Sequence, residues 1–143
     1  MKFRVLLVAL ALVAGSAEAK PRGPAVAGVG DVIYHADIRA PLPNAFGKPD
    51  VFGRDVIVGR IDVRFLGLAA DGRARFQRSE VPIVSNETTV TRGQGRPVVA
   101  TAMSPMLFDM AVDLTSDPTI FVNGETIRVL SATDTRVTFE VVK

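Results

Sequence analysis

The sequence predicts an all-β domain: an antiparallel β-sandwich of immunoglobulin-like size, or a small closed β-barrel, built from about eight short strands. Three observations predict it. Apolar and polar residues alternate at period 2 through most of the segment 31–143, and no helical stripe of useful length interrupts them. Strand-length runs are separated by turn-forming pairs, Asp71-Gly72 and Asn123-Gly124 foremost, which suit tight hairpins. The chain has 143 residues and no cysteine, one domain's worth of sequence that can bury its own core without disulfides.

The segment 1–19 reads as a cleaved secretory signal of bacterial type rather than as part of the fold. Lys2 and Arg4 form a positive n-region, Val5 to Ala14 an apolar h-region, and Ala17-Glu18-Ala19 a small-x-small cleavage site. Ten apolar residues are too few to cross a hydrocarbon core of about 30 Å as a helix. Val13-Ala14-Gly15-Ser16 has the shape of a lipoprotein box, but serine stands where the acylated cysteine is required. Soluble export, to the periplasm or beyond, is therefore expected over lipid attachment. Residues 20–30 (KPRGPAVAGVG) carry no periodicity and read as a flexible leader, which leaves 31–143 as a single β domain.

Within that domain, Val32, Tyr34, Ala36 and Ile38 alternate with Ile33, His35, Asp37 and Arg39 to give a first strand. Gly59, Ile61, Val63 and Phe65 line one face of a second. Asp71-Gly72 turns the chain into Arg73 to Arg78. Pro82 has no amide proton, so Val81 to Ser85 reads as an edge or bulged strand. A turn at Asn86-Glu87 leads to a segment Thr88 to Arg92, and the loop Gly93 to Pro97 to a strand at Val98 to Met103. Phe108, Met110, Val112 and Leu114 alternate with Asp109, Ala111 and Asp113. Asn123-Gly124 joins Ile120-Phe121-Val122 to Glu125 through Leu130 as a type I′ hairpin. Val137, Phe139 and Val141 then share a face of the last strand. A membrane-spanning barrel is disfavoured, since such barrels carry aromatic girdles and this chain has one Tyr and no Trp.

Charge excludes one class of partner. With Lys2, Arg4 and Glu18 removed, 15 basic residues face 14 acidic ones, and no run of like charge makes the basic stripe that nucleic acid requires. Catalytic signatures are missing too: there is no thiol, no G-x-S-x-G elbow and no H-E-x-x-H pair. An enzyme using the sole histidine, His35, with scattered carboxylates would have to assemble its site wholly through the fold, and no cofactor is implied.

Two segments are candidate sites. The stretch 41–54 (PLPNAFGKPDVFGR) holds three prolines and a doubled Phe-Gly step. Phe46 and Phe52, with Lys48, Asp50 and Arg54 beside them, form either a contact surface for an envelope protein or glycan or a pair of core anchors closing a long connection. Met103, Met106 and Met110, with His35, are the alternative: thioethers and an imidazole suited to Cu(I), or gap-filling core residues. The expected function is thus a soluble, non-catalytic binding or accessory module of the bacterial cell envelope, with periplasmic copper binding as the competing reading.

Overall fold

Alternation at period 2 is realised, in the computed structural model, as two antiparallel sheets packed face to face in a β-sandwich. The structure describes residues 23–143; the signal expected over 1–19, and the first residues of the expected leader, lie outside the described residues. One sheet has the spatial order β1 (Ala25–Gly28), β9 (Arg136–Val142), β8 (Glu125–Ala132), β7 (Thr119–Val122). The other runs β2 (Val32–Pro41), β3 (Asp55–Leu68), β4 (Ala74–Ser85), and the far edge of β4 is shared by β5 (Ala100–Ala102) and β6 (Met106–Val112). Neither sheet closes on itself or on the other, so the barrel alternative does not hold. No helix among the described residues is long and apolar enough to cross a membrane.

The core sits between the first sheet and only part of the second. Val63, Phe65, Phe76, Ile127 and Val137 are fully buried, and the Phe65 and Phe76 rings meet tilted at 50° with centroids 5.5 Å apart, within the spacing that favours aromatic pairs. On β3 the shared core takes Ile61, Val63 and Phe65. The strand has 14 residues and spans about 45 Å at the usual rise. Its first half, with the second half of β4, therefore extends past the cover of the shorter sheet. The connections 42–54 and 86–99 both leave from that projecting end.

Several elements depart from the sequence reading. The leader expected over 20–30 is, from Ala25 to Gly28, an edge strand paired with β9; four residues are too few to announce themselves by alternation. In β2 a bulge between Val32 and Tyr34 lets both Ile33 and Tyr34 turn inward and become buried. Pro82 lies inside a continuous β4 instead of on an edge strand. It occupies the point where the partner changes from β6, which ends opposite Glu80, to β5, which starts opposite Ile83. Its carbonyl accepts from Met103 N–H at 2.8 Å, so the missing donor costs the ladder one bond at a place where the ladder already changes partner. The segment 88–92 forms a one-turn helix, α1 (Thr89–Gly93), instead of a strand. Its N-cap Thr88 and Thr91 satisfy each other's backbone N–H groups, a reciprocal cap that holds so short a helix.

Candidate binding loop

The connection between β2 and β3 is built from one local unit used twice, Asn44-Ala45-Phe46-Gly47-Lys48 and Asp50-Val51-Phe52-Gly53-Arg54. In the first, the Asn44 side-chain oxygen accepts from the N–H groups of Phe46 and Lys48, both at 2.9 Å, and Gly47 N–H closes back on Asn44 O at 3.0 Å. In the second, Gly53 N–H closes on Asp50 O at 3.3 Å, and an Asp50 carboxylate oxygen accepts from Arg54 N–H at 3.1 Å. Gly47 and Gly53 sit at φ of 73° and 69°, where a side chain would be strained. An Asx residue opens each turn and a left-handed glycine ends it.

This geometry decides where the phenylalanines go. Each occupies the third position of its turn, which projects away from the chain, and Phe46 is 88% exposed, Phe52 80% and Val51 88%. They do not anchor the core. The loop closes instead around Leu42, which lies outside the core cluster between the sheets, is fully buried and is gripped on both sides by Leu42 N–H to Arg54 O and Asp50 N–H to Leu42 O. The loop is further tied to the body where Thr89 N–H donates to Pro43 O at 2.9 Å.

Of the five residues singled out in this loop, three face solvent as a surface and two are spent inside it. Arg54 reaches Asp50 through Nε at 2.8 Å and Nη2 at 3.1 Å, and the Asp50 side chain is almost wholly covered. Hydrogen bonds from the Arg54 side chain hold the Asp50 carboxyl at about 2, against a partial desolvation that works the other way. The Arg54 guanidinium also lies 5.5 Å from the Phe52 ring centroid, a stacked position that stiffens this aromatic. Lys48 holds the corresponding place in the first unit, but Asn44 offers it no charge, and it forms no ion pair among the described residues. The repeated Phe-Gly step is visible in the sequence. The Asx residues three positions before each glycine are the further signal that gives the loop its rigidity.

The copper alternative is not assembled by the fold. His35 stands on β2 opposite Asp62 of β3, three strand steps from β6, which is about 14 Å at normal strand spacing. Met106 and Met110, four residues apart on β6, are about 13 Å apart along the strand, and Met103 lies in the link before it. His35 instead directs Nδ1 to Asp62 at 2.6 Å and Nε2 toward Asp37 at 3.7 Å. Among the described residues no group of three His, Asp or Glu side chains is arranged to hold a metal ion.

Arginines elsewhere are largely engaged. Arg73 pairs with Asp71 and Arg78 with Glu80, Arg60 approaches Asp37, and Arg64 donates to Gly30 O. An open cleft of about 330 Å³ beneath the 86–100 segment is lined by Asp37, Asp55 and Glu87 against Arg39, Arg60 and Arg92. Its charges cancel: Arg92 bonds Glu87 at 2.5 Å and Asp55 O at 3.0 Å. Comparison with protein-family models, with characterised proteins and with solved structures gives no match, so the functional reading rests on the chain's own geometry.

Proposed function

We propose that this chain is a non-catalytic binding module of the bacterial cell envelope, exported by the segment 1–19 to the periplasm or beyond, that engages a protein through the 41–54 loop. One observation carries the reading: Phe46 and Phe52 stand almost fully exposed at equivalent positions of a loop whose backbone is hydrogen-bonded to itself. A rigid aromatic loses little conformational freedom on binding, and aromatic side chains, phenylalanine among them, are enriched at the cores of interfaces. A glycan would ask for polar groups beside the rings, but Asp50 and Arg54 are spent on each other. Two phenylalanines, Val51 and the Lys48 ammonium remain, a surface suited to an apolar depression on another protein with an acidic rim.

The test is photocrosslinking in intact cells, with a photoreactive residue at position 46 or 52 in the chain carrying its own first 19 residues. A discrete adduct from both positions, absent from a probe at Arg128 on the outer face of the other sheet, is the expected result. Adducts of equal yield from all three positions, or none, would overturn the reading.

A further inference from the structure

Free strand edges are templates for pairing with another chain, and proteins blunt them with short length, charge, proline or bulges. The edges of this sandwich follow that rule with one exception. β1 and β7 have four residues each and β5 three, while β2 carries His35, Asp37, Arg39 and Pro41 and two register shifts. β6 has seven residues, Met106-Leu107-Phe108-Asp109-Met110-Ala111-Val112, with no proline, no glycine and one charge. Its register with β4 is unbroken from Glu80–Met106 to Ala74–Val112, and its other edge pairs with nothing among the described residues.

The side chains of β6 are as open as its backbone. Met106, Phe108 and Met110 lie opposite Glu80, Arg78 and Phe76, the row that ends in the core at Val112. Moving away from that end the cover thins: Val112 is buried, Met110 partly buried, and Phe108 and Met106 are 47% and 49% exposed. On the opposite face Leu107 is 57% exposed.

We propose that β6 is a self-association edge, pairing antiparallel with β6 of a second copy about a two-fold axis at Phe108. A two-fold requires the strand to complement its own reverse, and this one does so in that register. Phe108 meets the partner's Phe108, Met106 meets the partner's Met110, and the half-exposed row becomes a continuous Met-Phe-Met ladder with thioethers against rings. Asp109, the sole charge, lies opposite the partner's Leu107. Centring one residue later would set Asp109 against the partner's Asp109, which is destabilising for like charges directly opposed. The charge therefore disfavours that neighbouring register while permitting the contact centred on Phe108. The product is one continuous sheet running through both copies, held by a short strand pair, so the association is of the weak class with small interfaces.

The absence of native cysteine makes the register directly testable. The purified unmodified chain, measured by sedimentation over a concentration series reaching several hundred micromolar, is expected to move from one-fold to two-fold mass. A single mass equal to one chain throughout overturns the proposal, whatever other strand the edge then accepts. Under mild oxidation, Phe108→Cys is expected to form disulfide-linked dimers, and a mixture of Met106→Cys with Met110→Cys to form the mixed dimer. Leu130→Cys, on the other sheet, should remain monomeric. Dimers linked equally well through position 130, or not through 108, would place the contact elsewhere and overturn the assignment. Phe108→Lys should weaken association at least tenfold; should that variant fail to fold, Leu107→Asp, which sets a carboxylate directly against the partner's Asp109, replaces it.

Discussion

Asp50 illustrates how a single side chain serves the loop rather than a partner. Its type and place were legible in the sequence as part of a charged, aromatic segment. Its bidentate hold on Arg54 was not, because that depends on the turn bringing positions four apart into register. Since its folded carboxyl lies at about 2, below the ordinary 3.8, the native state favours the ionised form. The stability it contributes is therefore complete above the ordinary carboxylate range and lost as pH falls through about 2. Urea unfolding of the wild-type chain and of Asp50→Asn should accordingly differ by a constant amount above about pH 5 and converge toward about pH 2. A gap independent of pH would show that the ion pair is not its source. The phenylalanines behave oppositely: Phe46→Ala with Phe52→Ala should leave the unfolding free energy within about 0.5 kcal/mol of wild type, as for exposed sites generally, while abolishing the crosslink from a photoreactive residue placed at the neighbouring exposed position 51. A large fall in melting temperature would return both residues to a packing role.

Hairpins were the most legible elements because their signals are local. Asn123 and Gly124 sit at φ of 50° and 77°, the two left-handed residues a type I′ turn needs, and the alternation on either side sets which face is buried. Irregular features were not legible. The bulge that buries Ile33 beside Tyr34 inserts one residue without changing the composition of the strand, and α1 has only five residues, too few for a periodic pattern. Gly67 belongs with these. It sits at a bulge of β3 with φ of 93°, and a Cβ there would lie 3.0 Å from Asp134 O in the β8–β9 turn. Gly124 has the same backbone need but open space around it. Gly124→Ala should thus cost about 1 kcal/mol, the backbone term alone. Gly67→Ala should cost about 2 kcal/mol or more, because a backbone carbonyl of the other sheet cannot yield as a side-chain end can. Thermal unfolding of both variants checks the ordering, and equal shifts would mean that the turn moves freely relative to β3.

The all-β antiparallel class could be read from the alternation, but neither the choice of a sandwich over a closed barrel nor the strand order could. β1 pairs with β9 from the far end of the chain, and β5 and β6 share one edge of β4; neither arrangement leaves a local trace, since long-range pairing is set by which apolar faces fit once the sheets meet. The same holds for the polar link between the layers. Tyr34 on β2 donates its hydroxyl hydrogen bond to a Glu125 carboxylate oxygen on β8 at 2.6 Å, across 91 residues of sequence. A tyrosine turned into a core must place its hydroxyl on an acceptor, and a charged acceptor at the rim of the sandwich meets that need while fixing how the sheets sit against each other. Either change removes this bond, so Tyr34→Phe and Glu125→Ala should each destabilise by about 1 kcal/mol. The double variant should fall short of their sum by about 1 kcal/mol, the coupling expected of groups in direct contact. Chemical denaturation of the three variants measures that coupling. A value near zero would mean that the sheets are aligned by apolar packing of Phe65, Phe76, Ile127 and Val137 alone, with the hydroxyl making an equivalent bond to water.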